Sequence, residues 1–276
     1  MAALGPIELL FLLGPLALVP LALPLLGESR PLAWARRLLW PGALAAAASF
    51  LTRRGWASGL LAGGWWIVLL LLALHGLALL VDRGFPGRTA LAAACLLVPV
   101  GGGWLVVSRV GLEPFGFLEP VPLLTAVHFH FAVFGSLVLI GRAGEWLEGR
   151  LYDAVVAAAV AGPLLVATGI ASTPVLEAVG GVALAWAVGT FAILILFRVV
   201  PRVPIVAAVL LTISSTAILM GMACALAWLV GRVTPVALIS MGQMARVHGP
   251  LNALGFCLCG LIGWNLLPRN LSGHSR

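Results

Sequence analysis

Two stretches of this otherwise apolar sequence carry side chains that can do chemistry. The first is Thr125-Ala126-Val127-His128-Phe129-His130-Phe131. The second runs from Met241 to Gly255 and holds Gln243, Arg246, His248 and Asn252. Histidine titrates near neutrality, and its ring nitrogens donate, accept or ligate. A polar group at membrane depth is costly enough to be a functional candidate by default.

The His128/His130 pair makes a poor chelate on an α-helix, because positions i and i+2 point about 200° apart. A π-bulge would change that, but nothing in the sequence demands one. The two rings are therefore expected in different surroundings. His128 shares a side with Thr125, Ala132 and Gly135, and His130 with Val127, Val133 and Phe134. In the second stretch Met241, Met244, His248, Asn252, Gly255 and Cys259 recur every three or four residues, which makes one helical stripe. Pro250 removes one helical hydrogen bond and leaves the Arg246 carbonyl available. A polar stripe beside a loosened backbone is how discontinuous helices hold solutes in transporters. The expected binding set is Thr125, His128, His130, Gln243, Arg246, His248 and Asn252. His128, His130 and His248 are the acid–base candidates, no metal ligand is assigned, and the cofactor is left open.

The remaining polar groups suggest less. His75 reads as a packing histidine near a span end, Glu113 and Glu119 as loop carboxylates, and Glu145, Glu148, Arg150 and Asp153 as a solvated charged turn. Ser214, Ser215 and Thr216 line a path or bond their own helix. The sequence contains no P-loop, dinucleotide fingerprint, H-E-x-x-H or aspartate-rich prenyl-diphosphate motif.

The elements that must position these residues are membrane helices. Of 276 residues, 62% are hydrophobic and 9% charged, against roughly 25% charged in a soluble domain. The mean hydropathy is +1.14. Apolar segments near spanning length fall at 6–26, 34–51, 57–81, 89–108, 121–141, 151–171, 178–198, 204–230 and 236–267. The second is short and carries Arg36 and Arg37, so it reads as a span or an interfacial helix. The last reads as a surface helix plus a span, broken at Gly249-Pro250. The first has no basic residue before it and three prolines, Pro15, Pro20 and Pro24, and is expected as a retained, kinked span. The fold expected is an all-α polytopic bundle of eight to nine spans, a single membrane domain over 1–276.

Charge sets the orientation. With nine spans, Arg30, Arg36, Arg37, Arg83, Arg88, Arg142, Arg150, Arg198, Arg202, Arg269 and Arg276 lie on one side, and Arg53, Arg54, Arg109 and Arg232 on the other. The positive-inside rule then puts the N-terminus outside and the C-terminus in the cytoplasm. The +7 net charge is read as topology and headgroup contact, with no nucleic-acid partner. This orientation sets His128 and His248 in the outer half, where they can line one cavity. Gly59/Gly63, Gly101 to Gly103 and Gly180-Gly181 predict close helix packing. The tryptophans are expected mostly at span ends. The four cysteines sit in apolar segments and predict no disulfide.

At its two polar clusters the sequence resembles the YndJ-like family of bacterial integral membrane proteins. The matching residues are Thr125 to Phe131 and Met244-Ala245-Arg246-Val247-His248-Gly249-Pro250-Leu251-Asn252-Ala253-Leu254-Gly255-Phe256. The family often has a Tyr after the histidine pair, where this chain has Phe131 and no hydroxyl. The resemblance implies a multi-pass protein of the bacterial cytoplasmic membrane, labelled a transporter with no solute named. Three functional classes stay open. One is transport or binding of a small or amphipathic solute. Another is an intramembrane isomerase or cyclase acting on an isoprenoid or polyketide. The third is b-haem or metal binding.

Overall fold

The computed structural model describes residues 4–81 and 86–268. Among them the structure is helical and contains no strand. Nine long helices follow one another, here α1 (Pro6–Leu26), α2 (Arg30–Leu51), α3 (Trp56–Val81), α4 (Pro86–Val110), α5 (Val121–Ala143), α6 (Arg150–Ala171), α7 (Pro174–Arg202), α8 (Ile205–Val233) and α9 (Gly242–Asn265). All except α2 are long and apolar enough by composition to cross a membrane. The sequence marks their starts. Ser29 accepts from the Leu32 amide at 3.2 Å ahead of Pro31, and Thr173 accepts from Leu176 at 3.3 Å ahead of Pro174, as N-caps followed by proline do. Gly111, at φ +86°, stops α4.

Proline and histidine segments distort the helices locally. The first span is π-helical over Gly14–Leu18 and 3₁₀ over Leu23–Leu26, in line with its three prolines. Helix α5 is π-helical over Phe129–Gly135. The last helix is α over Met241–Pro250, π over Leu251–Leu258 and α again over Cys259–Asn265. The chain is thus widened at Pro250, where a break was expected. The first residues of the ninth apolar segment, 236–240, lie outside the helix.

The chain divides into two compact units. The first comprises α1 to α3 with Leu91–Gly135. Its α2 and α3 form an antiparallel hairpin joined along its whole length. At one end Ser29 Oγ donates to His75 Nδ1 at 2.8 Å, while His75 Nε2 donates to Leu26 O at 3.0 Å. Midway, a Cβ on Gly42 would lie 3.0 Å from the Gly64 carbonyl. At the other end Ser58 Oγ donates to Ser49 O at 2.8 Å. A 22-residue helix is about 33 Å long, so α2 runs beside most of the 26-residue α3. Arg36 reaches back to the carbonyls of Leu23 (3.2 Å) and Gly27 (3.0 Å), and Arg37 lies 4.9 Å over Trp34. These contacts tie α2 to its neighbours, while the length and hydropathy of a span are met by the other eight helices.

Arg109 closes the other end of this unit. It is 6% exposed. Its Nε donates to Ser58 Oγ at 3.0 Å, and Nη2 to the carbonyls of Ser49 (2.9 Å) and Thr52 (3.1 Å). The guanidinium also sits 4.8 Å over Phe50. Beside it Glu119 accepts from Ser108 at 2.5 Å and pairs with Arg54 at 3.5 Å.

The second unit comprises Ser136 onward with the start of α4 up to Ala90. Helices α6 and α7 approach through glycine: a Cβ on Gly180 would lie 2.6 Å from Val166 N and 2.9 Å from Gly162 O. Glu177 and Arg232 join α7 to α8 through a forked contact of 2.9–3.2 Å. Ser214 on α8 donates to Phe256 O on α9 at 2.7 Å, and Ala217 packs against Gly255. Serine 214 is therefore an inter-helix tie, whereas Thr216 bonds its own helix at Thr212 O.

Several expectations need correction. In the turn after α5, Glu148, Arg150 and Asp153 are exposed as expected, whereas Glu145 pairs with the buried Arg142, which also donates to Pro268 O at 3.1 Å. Trp65 and Trp264 are fully buried core residues, Trp264 one residue from the end of its helix. Gly63 meets nothing within 4 Å, although its partner Gly59 abuts Val110. The four cysteines are free thiols. Arg83, Arg269 and Arg276 lie outside the described residues.

Candidate functional site

The polar stripe of α9 meets α8 at His248 and Asn252. One turn separates the two residues, and the widened backbone begins between them. His248 Nδ1 lies 2.9 Å from Gly221 O, and Asn252 Nδ2 lies 2.7 Å from His248 Nε2. A carbonyl only accepts, so Nδ1 carries the hydrogen and Nε2 accepts from the amide. That order consumes the Asn252 NH₂ and leaves its Oδ1 over. Oδ1 is buried and has no hydrogen-bond partner. Its position depends on Gly221, because a Cβ there would stand 2.9 Å from Oδ1. Both residues are half-buried.

The rest of the expected set is dispersed. Gln243 is committed to a capping box: its Oε1 accepts from Ser240 N at 2.8 Å and Ser240 Oγ at 2.9 Å. Arg246 is exposed on another face of α9. Thr125 donates to Val121 O at 2.9 Å within its own helix, and the exposed His128 donates from Nδ1 to Leu124 O at 2.7 Å. These two belong to the first unit, and His248 and Asn252 to the second.

His130 is sealed. It is 0% exposed. Its Nδ1 donates to Ala126 O at 2.8 Å, and its Nε2 accepts from Trp65 Nε1 at 2.9 Å. Phe11 packs edge-on at 5.1 Å, and Trp65 stacks at 6.1 Å between centroids. A Cβ on Gly101 would lie 3.1 Å from Nδ1. Both ring nitrogens are spent on the protein, so this ring supports packing and has no lone pair or proton to offer a substrate. The divergence of the two histidines follows the sequence reading, even though the π segment absent from that reading starts between them. Among the described residues no cluster of three His, Cys, Asp or Glu side chains could hold a metal ion.

A family model described as YndJ-like protein matches residues 9–256. The chain belongs to the YndJ-like family. Both polar clusters fall inside that match. The similar protein from Bacillus subtilis (strain 168) is named "Uncharacterized membrane protein YndJ", and is 26% identical over 181 residues, 65% of this chain. The chain spans 33% of that relative's length. No solved structure matches the chain. With its family, its relative and eight apolar helices of spanning length, this YndJ-like protein is a multi-pass membrane protein.

Three residues important to this arrangement escaped sequence reading. Gly221 is one glycine among 33, and only its contact with Asn252 distinguishes it. Trp65 lies 65 positions from the histidine it supports. Arg109 looked like a loop arginine, but its partners lie 51 to 60 positions away.

Proposed function

We propose that this YndJ-like protein binds and moves a small or amphipathic solute, with His248 and Asn252 on the widened α9 as the binding pair. The observation that carries this reading is the unpartnered, buried Oδ1 of Asn252. A buried acceptor left alone costs about 1–3 kcal/mol. A hydroxyl or ammonium on a solute supplies the missing donor, so the cost becomes binding selectivity for donor-bearing molecules. The π segment supports the same reading, since such widened turns are frequent at functional sites.

The test is metabolite profiling of cells and medium from wild-type, deletion, His248→Ala, Asn252→Leu and His128→Ala strains. The transport reading expects the same compounds, redistributed between cell and medium, in the deletion and in both α9 variants. A compound of altered chemical identity in the deletion, reproduced by His248→Ala, would overturn it in favour of intramembrane acid–base chemistry.

A further inference from the structure

We propose that the His248–Asn252 pair is a proton-binding site in which a proton and a donor-bearing solute compete for the same carbonyl oxygen. The competition rests on the binding reading above; the proton site itself does not. Its logic begins at Gly221 O, which fixes the hydrogen on Nδ1. The neutral ring then shows a lone pair at Nε2, and Asn252 must answer with its NH₂. Turning the amide over would face Oδ1 towards that lone pair and lose the bond. The neutral pair is therefore locked with one buried acceptor unused.

A proton passed from hydronium to Nε2, with water released, reverses each preference. Nε2–H now requires an acceptor, and the Asn252 amide turns by about 180° to supply Oδ1. The Nδ1–H bond to Gly221 O is kept, and both bonds become charge-assisted, which roughly doubles their strength. No other covalent bond forms or breaks. The proton thus does for Oδ1 what a solute donor does, and the two exclude one another.

The surroundings suit such a site. The elements packed against the first segment of α9 are α8 and the π segment. Their titratable groups are the thiols of Cys224 and Cys257 and the guanidinium of Arg232, which Glu177 holds. Arg246 lies two positions from His248, about 200° round the helix. Neither α8 nor α9 carries an acidic residue, so the local answer to a new positive charge is the Asn252 carbonyl.

The experiment is nitrogen NMR on the full chain in lipid nanodiscs, labelled at histidine and asparagine side chains and titrated with acid. His248 alone among the five histidines follows Val and precedes Gly, so isotope pairs assign it without mutation. The expected result is the Nδ1–H tautomer at alkaline pH. On acidification the ring gains Nε2–H, and the Asn252 amide signals move in the same transition. An Nε2–H tautomer at alkaline pH overturns the proposal. So does a His248 transition that leaves Asn252 unchanged, or a ring that stays neutral until the protein unfolds. Since no solute is added, a failed titration leaves the profiling result standing, and failed profiling leaves the proton site standing.

Discussion

At the scale of single residues, the two histidine clusters separate by what their ring nitrogens do. His130 has both nitrogens paired inside a dry core. Replacing it with Leu leaves the Trp65 indole N–H without its partner, while the Ala126 carbonyl keeps the Phe129 amide. The expected loss is about 1–3 kcal/mol, one unsatisfied buried group, read as a lowered unfolding midpoint in detergent. His248 behaves otherwise, since it is half-buried and its pairing leaves an acceptor over. His248→Ala is expected to alter solute distribution while costing less stability than His130→Leu. Equal losses from both variants would mean that His248 is merely a packing residue. Arg109 offers a third contrast. Arg109→Met abandons two helix-end carbonyls and a serine and is expected to cost about 2–4 kcal/mol. Arg109→Lys keeps the charge but not the fork and falls between. The sequence announced the histidines by type. It could not announce their states, because Trp65, Gly101 and Gly221 stand far from them along the chain.

At the scale of elements, hydropathy and proline placement were enough to find the helices. Eight helix positions follow from apolar runs of the right length. Helix α2 was harder to read, because Arg30, Arg36 and Arg37 dilute its hydropathy; its hairpin with α3, tied at Ser29–His75 and Ser49–Ser58, shows how closely the two helices run together. The π segments were illegible for a related reason. Pro250 signals a lost hydrogen bond, but not whether the helix breaks or widens; beside the widened turn α8 offers Ser214 to the Phe256 carbonyl and Ala217 to Gly255. Glycine content likewise predicts close packing without saying where. Gly180→Leu is expected to force α6 and α7 apart at a cost of about 1–3 kcal/mol. Gly63→Ala, on an open face, is expected to be neutral or to stabilise by up to about 1 kcal/mol through helix propensity. Thermal unfolding of the two variants side by side checks both.

At the scale of the whole molecule, counting α2 as a crossing would make nine and keep the arginine bias that the positive-inside rule requires. The prediction is an alternation: a reporter or single cysteine at residues 27–29 or 144–149 reads as cytoplasmic, and one at 53–55 or 234–240 as external. Labelling of 27–29 and 53–55 from the same side would show that α2 does not cross. The buried Arg109 has a further consequence, for how the protein is made. A helix ending in an arginine enters lipid at a penalty unless acceptors wait for it. The carbonyls of Ser49 and Thr52 and the hydroxyl of Ser58 belong to the preceding hairpin and leave the ribosome at least fifty residues earlier. Synthesis from the N-terminus therefore delivers the receptor before the cation, and α4 is inserted against a surface already shaped to neutralise it.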